Sequence, residues 1–122
     1  MTEPKRTLVV GASEKPQRYS NKAIRKLLRY GYEVVPLAPR PGQVHGVSFI
    51  TGNPPVEGIH TITLYVGPAR LTEMHDYLLS LNPKRIIFNP GTENEPFRQR
   101  AQQQGIETVE NCTLVMLETG LF

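Results

Sequence analysis

The sequence predicts an α/β protein with a doubly wound, mostly parallel sheet of about five strands, formed by residues 1–122 as one domain. Two observations carry this prediction. Short runs rich in Val, Ile, Leu and Thr alternate along the chain with amphipathic runs, which is typical of βαβ units around a parallel sheet. The length also matches one ordinary domain of roughly 100–150 residues, so we expect no second, catalytic domain.

Five runs of apolar residues are the predicted strands. They are nearly continuously apolar, as expected for strands that helices cover on both faces. A shorter run at Val47–Ile50 lies in the segment from Pro39 to Pro55, which holds much of the proline and glycine. A connection of this length is usually either functional or weakly ordered. The predicted main strands are Thr7–Gly11, Glu33–Leu37, Thr61–Val66, Arg85–Asn89 and Glu107–Glu110.

Helical spacing of apolar residues predicts four helices between and after these strands. In the first helix Ala23, Ile24 and Leu27 share one face. Gly31 ends that helix, because glycine readily adopts the left-handed conformation that follows many last turns. Pro68 suits the first turn of the second helix. The predicted helices are Asn21–Tyr30, Ala69–Leu81, Glu95–Gln104 and Thr113–Leu121.

The composition narrows the classes of protein. The 14 Lys and Arg against 11 Asp and Glu give a net charge of +3, which favours an anionic ligand but lacks the dense basic stripe of a nucleic-acid binder. No apolar run approaches the ~18–20 residues that cross a bilayer. The polar start MTEPKR lacks the apolar core of a signal peptide. We therefore expect a cytoplasmic protein with neither nucleic-acid nor membrane partners. The single cysteine excludes an internal disulfide.

A glycine turn follows the first predicted strand. In open, Rossmann-like α/β sheets, ligands bind outside the carboxyl ends of the strands, where the strand order reverses. Gly11-Ala12-Ser13 lies at such an end. Glycine lets bare backbone approach a phosphate, and the next helix offers unpaired N–H groups and a partial positive charge. Lys15 and Arg18 follow in the same loop and can grip a pyrophosphate.

Each of these residues also has a purely structural interpretation. The Gly-Ala-Ser turn is common in α/β proteins that bind nothing there. Lys15 and Arg18 are equally compatible with a solvated loop, and Ser20 or Asn21 with a helix cap.

The segment after the second strand narrows the ligand. NAD sites place an Asp or Glu there for the ribose hydroxyls, whereas an arginine accommodates an extra ribose phosphate. This chain has Pro39 and Arg40 and no carboxylate. The choice therefore narrows to NADP or the 3′-phospho-ADP half of coenzyme A (CoA), unless Arg40 is simply an exposed loop cation.

Two stretches resemble the small stand-alone CoA-binding proteins, which are similar to the CoA-binding domain of the succinyl-CoA synthetase alpha subunit. The first is Gly11-Ala12-Ser13 with Pro16, Arg18 and Ser20. The second is the stretch Gly31–Pro36, followed by Pro39, and the resemblance extends from Arg6 to Leu117. Two departures stand out: the chain has Leu37-Ala38-Pro39 where the family tends to have Val-Asn-Pro, and Phe88–Gly91 lacks the family's tryptophan and glutamine.

The resemblance implies a set of binding residues around the crevice. It implies that the CoA phosphates are surrounded by Gly11, Ala12, Ser13, Arg18 and Ser20. Pro39 and Arg40 would flank the adenosine end. The opposite wall would be formed by Val66, Gly67 and Pro68.

No catalytic residues are predicted. Succinyl-CoA synthetase uses a histidine from a further domain, and no tyrosine here has the lysine four residues later that short-chain dehydrogenases need. His45, His60 and His75 lack metal-ligand spacing, so we expect surface histidines and no metal site. Cys112 could meet a pantetheine thiol at the carboxyl edge, but a buried cysteine is the preferred interpretation.

Three hypotheses follow. The first is non-catalytic binding of CoA or an acyl-CoA. The second is a small NADP-binding oxidoreductase. The third is a docking module for a protein partner, with a nucleotide site that has lost its ligand. A homodimer is compatible with each of them.

Overall fold

Five parallel strands form the main sheet of this computed structural model, which describes residues 5–122. These strands are β1 (Thr7–Val10), β2 (Val34–Leu37), β5 (Thr61–Leu64), β6 (Arg85–Phe88) and β7 (Glu107–Glu110). Their order across the sheet is β2-β1-β5-β6-β7, and each neighbouring pair is parallel. β1 therefore lies in the interior of the sheet, with β2 on one side and β5 on the other. The prediction of a doubly wound Rossmann-like sheet with five strands is confirmed.

Helices cover both faces of this sheet, and each face has its own apolar core. Alternate residues of β1 show the division, since Leu8 and Val10 face one core and Val9 faces the other. The helices α2 (Pro68–Thr72), α3 (His75–Ser80) and α4 (Glu95–Gln103) pack on the first core, through Leu71, Leu78 and Phe97. The helices α1 (Tyr19–Arg29) and α5 (Thr113–Thr119) pack on the second, through Ile24, Leu27 and Met116.

The predicted helix Ala69–Leu81 is wrong as a single element. The chain instead forms α2 and α3, separated at Glu73 and Met74. The N–H of Glu73 donates to Arg70 O at 3.2 Å and that of Met74 to Leu71 O at 2.9 Å. These bonds span three residues, so they tighten the last turn of α2 and redirect the chain.

The connection after β2 contains a hairpin of which only one strand was predicted. The strands β3 (Gln43–Val44) and β4 (Val47–Ser48) pair antiparallel around His45 and Gly46, whose φ angles of 49° and 80° are left-handed. The predicted strand Val47–Ile50 ends early, although Ile50 still bridges Leu37 in parallel. Residues 43–48 of this segment therefore form regular structure.

No helix within residues 5–122 has the length and apolar character needed to span a membrane.

Candidate functional site

A cavity of about 800 Å³ opens at the carboxyl ends of β1 and β5, where the strand order reverses. This is the position at which open α/β sheets bind ligands, and the volume lies in the common range for ligand sites. We call this space the main cavity. Its lining residues are Gly11, Ala12, Ser13, Lys15, Arg18, Tyr19, Ser20, Pro39, Arg40, Tyr65, Val66, Gly67, Arg70, Pro90, Gly91 and Thr92.

Gly11 makes the tight turn that opens the main cavity. Its φ is +94°, and a Cβ at this position would lie 2.9 Å from Tyr65 O. The N–H groups of Gly11 and Ala12 both donate to Leu37 O at 3.0 Å. The turn is therefore fixed against the ends of β2 and β5, and only glycine fits it without strain.

The loop after this turn is held by two residues of α1. Asn21 Nδ2 donates to Ser13 O at 2.8 Å. Arg25 Nε donates to Asn21 Oδ1 at 2.7 Å, and Arg25 Nη2 donates to Pro16 O at 3.0 Å. Asn21 therefore braces the loop instead of capping α1, which corrects the capping interpretation of that residue.

The N-terminus of α1 faces the main cavity without a side-chain cap. The N-cap position belongs to Arg18, not to Ser20 or Asn21 as predicted, and the first turn contains no acidic residue. The first N–H groups of a helix have no partners within it, and their partial positive charge attracts anions. Ser20 is buried in this first turn and also lines the main cavity.

Among residues 5–122, four cations and no carboxylate line the main cavity. The cations are Lys15, Arg18, Arg40 and Arg70. Within residues 5–122, none of the four side chains makes a hydrogen bond or an ion pair. The acidic residues that do form ion pairs lie elsewhere, with Arg6, Lys26, Arg98 and Arg100. The main cavity is therefore a region of unbalanced positive charge, which concentrates anions.

Ten of the eleven predicted binding residues line the main cavity. The exception is Pro68, which is the first residue of α2 and does not line it. Sequence reasoning missed six of the lining residues. They are Tyr19, Tyr65, Arg70 in the first turn of α2, and Pro90, Gly91 and Thr92 after β6. The parallel order of β5 and β6 was the available signal, because residues after neighbouring parallel strands meet at one edge.

The histidines lie away from the main cavity. His45 is exposed in the hairpin turn, and His60 lies just before β5 at the opposite edge of the sheet. His75, expected at the surface, is instead buried, with its ring stacked on Phe97 at 4.5 Å between centroids. Among the described residues no group of three or more His, Cys, Asp or Glu could hold a metal ion.

Two further polar residues begin helices near this edge of the sheet. Cys112, expected to be buried, is only partly buried and takes the N-cap position of α5, near the carboxyl end of β7. Asn94 caps α4, since its Oδ1 accepts from Phe97 N at 3.1 Å. It also donates to Pro68 O at 3.1 Å, which ties α4 to α2.

This fold and this cavity define a class: Rossmann-like α/β proteins with a ligand crevice at the carboxyl edge of a parallel sheet. The family model described as a CoA-binding domain matches residues 5–118. The chain therefore belongs to the CoA-binding domain family.

Solved structures share this fold. An uncharacterised protein of known crystal structure is 43% identical, with a TM-score of 0.96 over 99% of this chain and 100% of that chain. A hypothetical protein from Pyrococcus horikoshii OT3 is 27% identical, with a TM-score of 0.85 over 97% of this chain and 84% of that chain. Comparison with curated proteins gives no match.

A larger enzyme shares the fold. The dinucleotide-forming acetyl-coenzyme A synthetase 1 of Candidatus Korarchaeum cryptofilum, solved with phosphate and ADP, has a TM-score of 0.73. It is 20% identical, and the match covers 88% of this chain but 26% of that one. At this identity the likeness concerns the fold alone.

Proposed function

We propose that the protein binds CoA or an acyl-CoA in the main cavity and performs no reaction on it. The observation that carries this proposal is the set of four unpaired cations beside the Gly11 turn, with no carboxylate among the lining residues. CoA has a diphosphate and a 3′-phosphate, and charge-assisted hydrogen bonds to cations are the strong kind. Family membership supports CoA as the ligand in general.

The proposed roles follow the positions of the cations. Lys15 and Arg18 lie on the loop between the Gly11 turn and α1, so they hold the diphosphate together with the helix N-terminus. Arg40 follows β2 beside Pro39 and holds the ribose phosphate. Arg70 approaches from α2 on the other wall, formed by Val66 and Gly67, and adds a further phosphate contact.

The lining residues support a binding role without catalysis. Among residues 5–122, no histidine, cysteine, aspartate or glutamate lines the main cavity, so the usual general bases are missing from this part of the chain. Burial raises the pKa of Tyr65, which lines the main cavity, above its ordinary value and keeps its phenol protonated at neutral pH.

A small NADP-binding oxidoreductase is the alternative, because Arg40 suits the 2′-phosphate of NADP as well as the 3′-phosphate of CoA. Isothermal titration calorimetry with CoA, NADP and NAD distinguishes the two functions. We expect CoA to bind at least about tenfold more tightly than NADP, a difference of ~1.4 kcal/mol, and NAD to bind most weakly. Tighter binding of NADP than of CoA would refute the proposal.

A docking module that has lost its ligand makes a different prediction. A ligand that binds only the folded state raises the melting temperature. If none of the three nucleotides raises it at millimolar concentration, the docking hypothesis replaces both nucleotide hypotheses.

A further inference from the structure

A second, smaller cavity of about 230 Å³ adjoins the main cavity. We call it the side pocket. Three residues line both spaces, namely Tyr19, Tyr65 and Pro90. The other residues that line the side pocket are Asn89, Cys112 and Leu114. The two spaces therefore meet at the ends of β5 and β6, on the side of the cavity formed by α1 and α5.

Among the residues that the structure describes, no charged one lines the side pocket. Its amide residue, Asn89, already uses its side chain within the protein. Asn89 Nδ2 donates to Thr63 Oγ1 at 2.7 Å and to Leu64 O at 2.9 Å. Its Oδ1 accepts from Thr113 N at 2.9 Å. Both N–H groups of the amide are engaged, so Asn89 has no free donor for a ligand.

Tyr65, one of the two tyrosines that line both cavities, also contributes little polarity. The hydroxyl of Tyr65 is inaccessible to solvent and lies beside the Thr63 and Thr113 hydroxyls without forming a hydrogen bond of normal geometry. Its ring therefore has no accessible polar atom at the junction. A charged group entering the side pocket would lose its water and gain no charged partner among residues 5–122, which is costly.

The main cavity is cationic, whereas the side pocket is uncharged. We therefore infer that the side pocket receives the short aliphatic acyl group of a CoA thioester, and that the protein discriminates against acyl groups ending in a carboxylate. The inference rests on the proposed function, because it requires the phosphates to occupy the main cavity. An acyl-CoA has phosphates at one end and an apolar group at the other, which matches a cationic cavity adjoining an uncharged one. A cavity of ~150 Å³ holds benzene, so the side pocket takes about six to eight carbon atoms.

A series of ligands tests the chemistry. We expect calorimetric affinity to rise about fourfold for each methylene from acetyl-CoA to hexanoyl-CoA, because each buried methylene contributes about that factor. Affinity should stop rising beyond about eight carbons, when the side pocket is full. Butyryl-CoA and succinyl-CoA have acyl chains of equal length, and we expect the carboxylate of the second to weaken binding at least about tenfold.

Two variants of neighbouring residues test the location. Leu114→Trp fills the side pocket, so we expect the affinity ratio of hexanoyl-CoA to CoA to fall to about one. Val115→Trp is the matched control, because Val115 is half exposed on the same helix and does not line the side pocket. For Val115→Trp, the affinity ratio of hexanoyl-CoA to CoA should equal that of the unchanged protein. If Leu114→Trp does not fold, the ligand series alone decides.

The outcomes separate this inference from the proposed function. If CoA does not bind, the proposed function fails. If CoA binds but hexanoyl-CoA binds no more tightly, or succinyl-CoA equals butyryl-CoA, the proposed function stands and the acyl site is wrong. An equal effect of both tryptophan variants would also overturn the acyl site.

Discussion

Arg18 is the residue on which the proposed phosphate site depends most directly. It precedes the first turn of α1, lines the main cavity and has no partner within residues 5–122. We expect Arg18→Ala to weaken CoA binding by about 1.5–3 kcal/mol, the range for a hydrogen bond to a charged group. Calorimetry of the purified variant measures this change.

Arg29→Ala is the control for Arg18→Ala. Arg29 carries the same charge on the same helix, but it lies in the last turn and does not line the main cavity. Loss of net charge alone would weaken binding equally in both variants. An equal loss of affinity would show that Arg18 is a solvated loop residue that does not contact CoA.

Gly11 tests whether the turn needs glycine. In Gly11→Ala the new Cβ would lie 2.9 Å from Tyr65 O, in addition to the cost of a left-handed φ. That conformation alone costs ~1–2 kcal/mol. We expect the urea midpoint to show a larger loss than in Gly31→Ala, where φ is +87° and the Cβ would have no atom within 4 Å. Equal losses would show that the close approach to Tyr65 is unimportant.

The lowered pKa of His75 predicts how the stability of the protein depends on pH. Burial lowers the pKa of its imidazole, Arg100 adds to this effect, and Asp76 opposes it. The unfolded chain takes up this proton near pH ~6.5, whereas the folded chain does so only at lower pH. The contribution of His75 to stability is therefore complete above about pH 6.5 and is lost as the pH falls through the lowered pKa.

Urea unfolding at pH 7.5 and pH 5.0 measures this dependence. We expect His75→Gln to lose less stability between these two values than the unchanged protein does. His45→Gln, at an exposed histidine, should retain the full dependence. If the two variants behave alike, another group is responsible.

At the scale of elements, Asn94 links two helices on one face of the sheet. It caps α4 through Phe97 N and donates to Pro68 O in α2. We expect Asn94→Ala to lower the free energy of unfolding by about 1–2 kcal/mol, the upper range for a lost N-cap. Gln103→Ala in the last turn of α4 is the control, and its effect should be small. A loss of less than about 0.5 kcal/mol in Asn94→Ala would contradict the role of the cap.

The elements also show where prediction from sequence succeeds. β1, β2, β5 and β6 are buried throughout, so their apolar runs are unmistakable. The break between α2 and α3 left no such signal, because Leu71 and Leu78 keep helical spacing across it and both reach the same core. β3 was missed because two residues with one buried side chain carry no readable alternation.

At the scale of the whole molecule, the site was predictable to the extent that topology dictates it. Residues directly after β1, β2 and β5 must gather at one edge of a parallel sheet, and the sequence identified most of them. Arg70 could be placed only with the knowledge that α2 begins at Pro68, because its first turn then lies beside the crevice. The side pocket is formed by residues from segments that are far apart in the sequence, so no local sequence pattern predicts it.

A second cationic region offers a direct comparison for the phosphate site. A groove between α1 and α5 is lined by Leu114 and four cations, Lys22, Arg25, Lys26 and Arg29. Three of its cations already have partners, since Lys26 pairs with Glu118, Arg25 binds Asn21 and Lys22 lies over the Tyr19 ring. The groove has as many cations as the main cavity, but its charge is partly neutralised and it lies away from the glycine turn.

A crystal structure with bound CoA is therefore the most direct test of the central claim. The account predicts that the diphosphate lies between the Gly11–Ser13 turn and Arg18, with the ribose phosphate within hydrogen-bonding distance of Arg40. Phosphates bound instead in the groove between α1 and α5, with the main cavity empty of ligand, would contradict it.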